Sequence, residues 1–224
     1  MVTLGVDTSA VTVSVALVDG DSLLGESFAQ GKQKHSEVLL PMVDSLLRHC
    51  GLDINSIDRY AVTCGPGSFT GVRIGVSAVK GMALVGSKPC AGVSTLEAVA
   101  AQAGFLGGIL CCAMDARRGQ VYAALFEAGE RLCEDEALPI TELEQRLLTL
   151  DKPVIFLGDG AALCYETMHK SPGWRLAPMH WRYQRAYGAV LAAEEGDYRP
   201  AAELRAVYLR PSQAERELRE AAGG

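Results

Sequence analysis

The chain aligns with itself. "VDTSAVTVSVALVD" (Val6 to Asp19) lies against "MDARRGQVYAALFE" (Met114 to Glu127) without a gap, so that Asp7 matches Asp115, Val13 matches Val121 and Ala16-Leu17 matches Ala124-Leu125. Each copy reads as an apolar strand, an Asp, a turn and an alternating strand. Later, "AVTCGPG" (Ala61 to Gly67) has a shorter echo in "VIFLGDG" (Val154 to Gly160). Both motifs recur in the same order, and a duplicated α/β unit satisfies that order. The repeat puts the boundary near "AGFLGG" (Ala103 to Gly108), giving an N-terminal lobe of residues 1–104 and a C-terminal lobe of residues 105–224. The second copy carries fewer clear helices and reads as reduced.

Within the first copy, Val2 to Asp7, Val11 to Asp19 and Ser22 to Ala29 read as three consecutive strands, punctuated by "DTSA" and "DGD". "HSEVLLPMVDSLLRHCG" sets Leu39, Met42, Val43, Leu46, Leu47 and Cys50 at helical spacing, with Ser36 as a cap, Pro41 near the first turn and Gly51 as the stop. Arg59 to Cys64 reads as a buried strand, Thr70 to Val85 as a second helix and Ser94 to Ala103 as a third.

Composition narrows the function classes. The net charge is −6, so the chain is a poor stand-alone binder of nucleic acid, and any RNA contact is local or shared with a partner. Seven cysteines, an odd number with no CxxC, read as buried free thiols of a reducing cytoplasm. The N-terminus opens directly into a strand pattern, and no apolar run reaches the roughly 18 residues of a membrane span. The expectation is a cytoplasmic protein without a membrane partner.

The stretch "GPGSFTGVRIG" (Gly65 to Gly75) resembles a phosphate cradle, yet it lacks the Lys of a Walker loop and the third Gly of a dinucleotide fingerprint. Anion binding at the helix start and N-capping by Ser68 or Thr70 both remain open. Gly71 and Gly75 share a helix face that Ala78 and Met82 continue. Glycine inside a helix costs about 1 kcal/mol relative to alanine, so the pair points to close approach by another helix, in this chain or a partner. Asp7 with Thr8 and Ser9 is either a phosphate-and-metal motif or a hairpin turn. Asp115 has the same two readings, and Arg117-Arg118 either grip phosphate or face water. The four histidines lack metal-ligand spacing. His35, Ser36 and Glu37 are adjacent on a helix and do not face one another. "HWRYQR" (His180 to Arg185) mixes aromatic and basic residues in the manner of an RNA contact.

"LGVDTS", "HSEVLLPMVDSLL", "GPGSFTGVRIG" and "MDARRGQVYAALFE" together resemble the TsaB (YeaZ) family over nearly all of residues 1–130, with "YLRP" (Tyr208 to Pro211) a weaker echo. The resemblance implies an α/β fold of the duplicated, two-lobe actin-like ATPase kind (ribonuclease H-like), with a reduced second lobe. It implies a non-catalytic subunit that binds and activates TsaD in forming threonylcarbamoyladenosine beside the anticodon of ANN-decoding tRNAs. TsaE joins the two, tRNA is met through the complex, and the chain forms a homodimer when TsaD is absent. TsaD-type sequences carry "VHHLEGH"; here "VSTLEAV" (Val93 to Val99) puts Thr95 and Val99 at the metal-ligand positions, and neither replaces an imidazole. No intrinsic cofactor or metal is therefore expected, with ATP and metal on the partner subunits and a nucleotide at the subunit interface an open alternative. Ser36, Leu39, Val43, Leu47, Gly71, Ile74, Gly75, Ala78 and Met82 are the expected partner interface. Asp7, Thr8, Ser9, Gly65 and Gly67 are the expected vestige of a phosphate loop. An independent ATP-using enzyme and a peptidase are the competing readings.

Overall fold

Alternation along the first residues builds a meander. The computed structural model describes residues 1–31 and 34–210. In it β1 (Val2–Asp7), β2 (Thr12–Asp19) and β3 (Ser22–Gln30) run antiparallel in succession. α1 (His35–His49) then buries Leu39, Val43, Leu46 and Leu47 against this sheet. Its N-cap is Lys34, not Ser36, which stays exposed, and Pro41 lies inside the helix. β4 (Arg59–Gly65) pairs parallel with β1, and α2 (Phe69–Gly86) leaves from its end with Ser68 as the cap, Ser68 Oγ accepting from the Gly71 amide at 3.2 Å. β5 (Pro89–Ser94) adds in parallel to β4, and α3 (Thr95–Ala101) follows.

The second copy repeats this wiring. β6 (Ile109–Arg117), β7 (Gln120–Glu127) and the short β8 (Glu130–Arg131) run antiparallel, and β9 (Glu136–Pro139) pairs with the other end of β7. After α4 (Ile140–Leu148), β10 (Val154–Leu157) pairs parallel with β6, as β4 does with β1. α5 (Ala161–Thr167) and β11 (Trp174–Leu176) complete the unit. The orders β5-β4-β1-β2-β3 and β11-β10-β6-β7-β8 match strand for strand, which is the duplication read from the sequence. Reduction is visible in α5, where 7 residues stand in the place of the 18-residue α2.

The chain then leaves its second lobe. After α6 (Met179–Arg182), α7 (Ala186–Ala192) lies against β1, β2 and α3. Ala186 N donates to Ser14 Oγ at 2.7 Å, and Arg185 pairs with the half-buried Glu26 at 2.7 Å. β12 (Arg199–Pro200) adds an antiparallel edge to β5. Residues Ala103–Gly108 lie between α3 and β6, and residues 186–206 return to the sheet of β1 to β5. The stretch "SQAERELREAAGG" (Ser212 to Gly224) reads from the sequence as a solvated helix and lies outside the described residues.

α3 sits between the two sheets. Leu96, Val99 and Ala103 meet Leu110, Met114 and Ile155 of the second sheet there. α2 is long and apolar enough to cross a membrane, which the sequence reading missed; Arg73 and Lys80 interrupt it, and Val72, Val76, Val79 and Ala83 are buried in the lobe. The cysteines are free thiols, five of them buried, and burial pushes Cys64 up to about 12 and Cys90 to about 11.

Candidate interlobe site

The ends of β1, β4 and β6 and the start of α2 converge on a cleft of about 400 Å³ between the lobes, lined by Ser9, Ser68, Phe69, Asp115, Tyr122 and Asp159 among others. Parallel strands deliver their carboxyl ends to such a crevice, which is why both Asp motifs and both Gly-x-Gly loops gather there.

The residues behind the cleft wall are engaged with one another. Asp7 is fully buried; its Oδ1 accepts from Ser9 N at 3.2 Å, and both carboxylate oxygens accept from Ser9 Oγ at 3.1 Å. This is an Asx turn. Burial pushes the Asp7 carboxyl up to about 6, against the hydrogen bonds it accepts, and the charge of Asp159 acts with burial. Thr8 Oγ1 donates to Gly71 O at 2.7 Å. Ser68 N donates to Ser9 O at 2.7 Å. A Cβ on Gly67 would collide with Ser9 O, and one on Gly65 with Val207 O. The backbone of this loop therefore closes on its own chain.

Gly71 and Gly75 do mark a close approach, but the neighbour is the end of β1, not a helix. A Cβ on Gly71 would strike Thr8 O, and one on Gly75 would stand 2.5 Å from Thr8 Oγ1. Leu39, Val43 and Leu47 are likewise covered by the first lobe's own core, because α1 is seated on the sheet along that face. Ile74, Ala78 and Met82 are half-buried at the edge of the same core, as are Val38 and Met42 of α1. Leu40 on α1 is exposed, as are Leu84 and Val85 on α2. Of the interface residues expected from the sequence, Ser36, Ile74, Ala78 and Met82 reach the surface.

In the second lobe, Arg117 N donates to Asp115 Oδ1 at 2.7 Å and its guanidinium pairs with Asp115 Oδ2 at 3.2 Å. Arg118 is exposed. Asp159 is held at 3.0 Å by Gln184 Nε2; burial pushes its carboxyl up, against that bond. Sequence reasoning missed both, although Asp159 stands inside the "GDG" echo that was its signal. The cations of "HWRYQR" are engaged within the chain: Arg182 donates to Ala177 O and Arg185 to Glu26. Thr95 and Val99 are fully buried in α3, and among the described residues no group of three or more His, Cys, Asp or Glu is arranged to hold a metal.

The family model described as "TsaD: tRNA N6-adenosine threonylcarbamoyltransferase" matches residues 23–187. The tRNA threonylcarbamoyladenosine biosynthesis protein TsaB of Bacillus subtilis (strain 168) is 36% identical over 167 residues, 73% of each chain. The solved structure of YeaZ from Pseudomonas aeruginosa superposes with a TM-score of 0.78 at 28% identity, covering 93% of this chain and 99% of that one. The ROK hexokinase of Thermus thermophilus shares the fold, with a TM-score of 0.50 at 12% identity over 86% of this chain and 98% of that one. At 36% identity over 73% of each chain, and with the fold of YeaZ over nearly its whole length, the chain belongs to the TsaB (YeaZ) family.

Proposed function

We propose that this chain is a non-catalytic subunit in the formation of threonylcarbamoyladenosine on tRNA, and that it acts by binding and activating a TsaD-type transferase. The relatives' printed role supplies the pathway. One observation carries the non-catalytic part. The groups that would face a phosphate are engaged inside the chain: Thr8 on Gly71, Ser68 on Ser9, and Gly65 and Gly67 against backbone carbonyls. The positions of the transferase's metal histidines are held by Thr95 and Val99 in an apolar core.

The transferred group, ATP and metal then reside with the TsaD-type partner and with TsaE, and tRNA is met through the assembled complex in the cytoplasm. The docking face is the outer surface shared by α1 and α2, with Leu40, Ile74, Ala78 and Met82 as its apolar part; a self-dimer uses the same face when the partner is absent. Exposed and half-buried apolar side chains of this kind suit a protein partner. Analytical ultracentrifugation with the partner tests it: Leu40→Arg with Ala78→Arg is expected to abolish the heterodimer while melting as wild type. Undiminished assembly would remove this face from the account.

A further inference from the structure

The motif "YLRP" is used by nothing above. Its described residues leave the first lobe and cross the mouth of the cleft. Val207 N donates to Cys64 O at 2.7 Å, so the segment is pinned to the end of β4. Val207 O sits over Gly65, where only a residue without a Cβ fits. Tyr208 stacks on Phe69, centroids 4.5 Å apart with planes at 12°, and its hydroxyl accepts from Arg73 Nε at 2.8 Å. Leu209 then rests against the interlobe core around Met114 and Tyr122. Arg210 Nη1 finally donates to Ala116 O of the second lobe at 3.0 Å.

We propose that Val207–Arg210 is an interlobe clasp, which fixes the opening of the cleft by tying β4 and α2 of one lobe to the turn after Asp115 of the other. Two-lobe folds of this class work by lobes that move about their cleft. Here a strap from the chain itself spans that cleft, with an anchor at each end. The first anchor is a backbone bond plus a ring stack. The second is a single charge-assisted bond to a carbonyl. The clasp also couples α2 to the second lobe, since Phe69 and Arg73 both lie on that helix. It does so whether or not a partner docks.

Amide hydrogen exchange on the full chain tests the clasp. Peptides covering Cys64–Gly71 and Met114–Gln120 report its two ends. Arg210→Ala is expected to raise exchange at the second peptide about 3- to 10-fold, with Arg210→Lys restoring it through the same carbonyl. Tyr208→Ala is expected to raise both, and Tyr208→Phe, which keeps the stack, to raise them less. Should Tyr208→Ala fail to fold, Arg210→Ala decides alone, because among the described residues the hydrogen bond of its side chain to the second lobe is to the Ala116 carbonyl. Wild-type exchange at Met114–Gln120 in Arg210→Ala, or a rise that Lys does not reverse, overturns the proposal.

Discussion

Thr8 and Gly71 hold each other in two ways. The Thr8 hydroxyl donates to the Gly71 carbonyl at 2.7 Å, and the Thr8 carbonyl occupies the space that a Cβ on Gly71 would take. The end of β1 and the first turn of α2 are locked at a separation only glycine permits. Gly71→Ala is therefore expected to destabilise the fold by about 2–4 kcal/mol, because the obstacle is backbone. Gly75→Ala meets a hydroxyl that can turn, and is expected to cost about 1–2 kcal/mol. Thermal unfolding of the two variants checks the order. The same geometry makes Gly75→Leu a poor probe of docking, since Thr8, Val62 and Val6 surround the site.

Asp7 makes stability depend on pH in an unusual direction. Its folded pKa is raised from 3.8 to about 6. Between those values the folded chain keeps a proton that the unfolded chain releases, so stability falls as pH rises through the window. Above about 6 the buried carboxylate is a fixed cost of up to about 3 kcal/mol. Asp7→Asn is expected to raise the melting temperature at pH 7.5 and to lose that advantage at pH 4. Equal differences at the two pH values would contradict the buried-charge reading.

A second polar cluster joins the lobes. Arg131 donates to Asp135 at 2.6 Å and to Glu97 at 3.1 Å, and Ser94, the cap of α3, donates to Asp135 at 2.6 Å. Arg131 is mostly buried, so Arg131→Ala leaves Asp135 short of a partner and is expected to cost about 1–3 kcal/mol. A double-mutant cycle with Ser94→Ala is expected to show coupling of about 0.5 kcal/mol or more, because both groups share one carboxylate. Additive effects would mean the cluster does not act as a unit.

Much of this was legible in the sequence, for physical reasons that differ by element. β1, β2 and β3 are bounded by the turn signals "DTSA" and "DGD", so their limits were readable to within a residue or so. The duplication was legible because Asp7 and Asp115 end equivalent strands. The helix faces were not. Leu39 and Leu40 are adjacent and equally apolar, yet one is 1% exposed and the other 52%, and only the seat of α1 on the sheet separates them. The neighbour of Gly71 and Gly75 was also hidden, since glycine reports a close approach without naming what approaches. The return of α7 to the first lobe, and the path of Tyr208 to Phe69, join residues more than a hundred positions apart, which no local pattern encodes.

The isolated chain is expected to give no heat with Mg-ATP at millimolar concentration, because Gly65 and Gly67 are closed by Val207 and Ser9 carbonyls. Isothermal titration checks this. Saturable binding would restore the reading of an independent ATP-using enzyme.

The central claim is that this chain activates a transferase without performing chemistry itself. Threonylcarbamoyl transfer to tRNA, reconstituted with a TsaD-type transferase, TsaE and threonylcarbamoyl-adenylate, measures it directly. The account predicts that transfer requires this chain, that the chain alone transfers nothing, and that Leu40→Arg with Ala78→Arg fails to support it. Transfer that proceeds at the same rate without the chain would contradict the account.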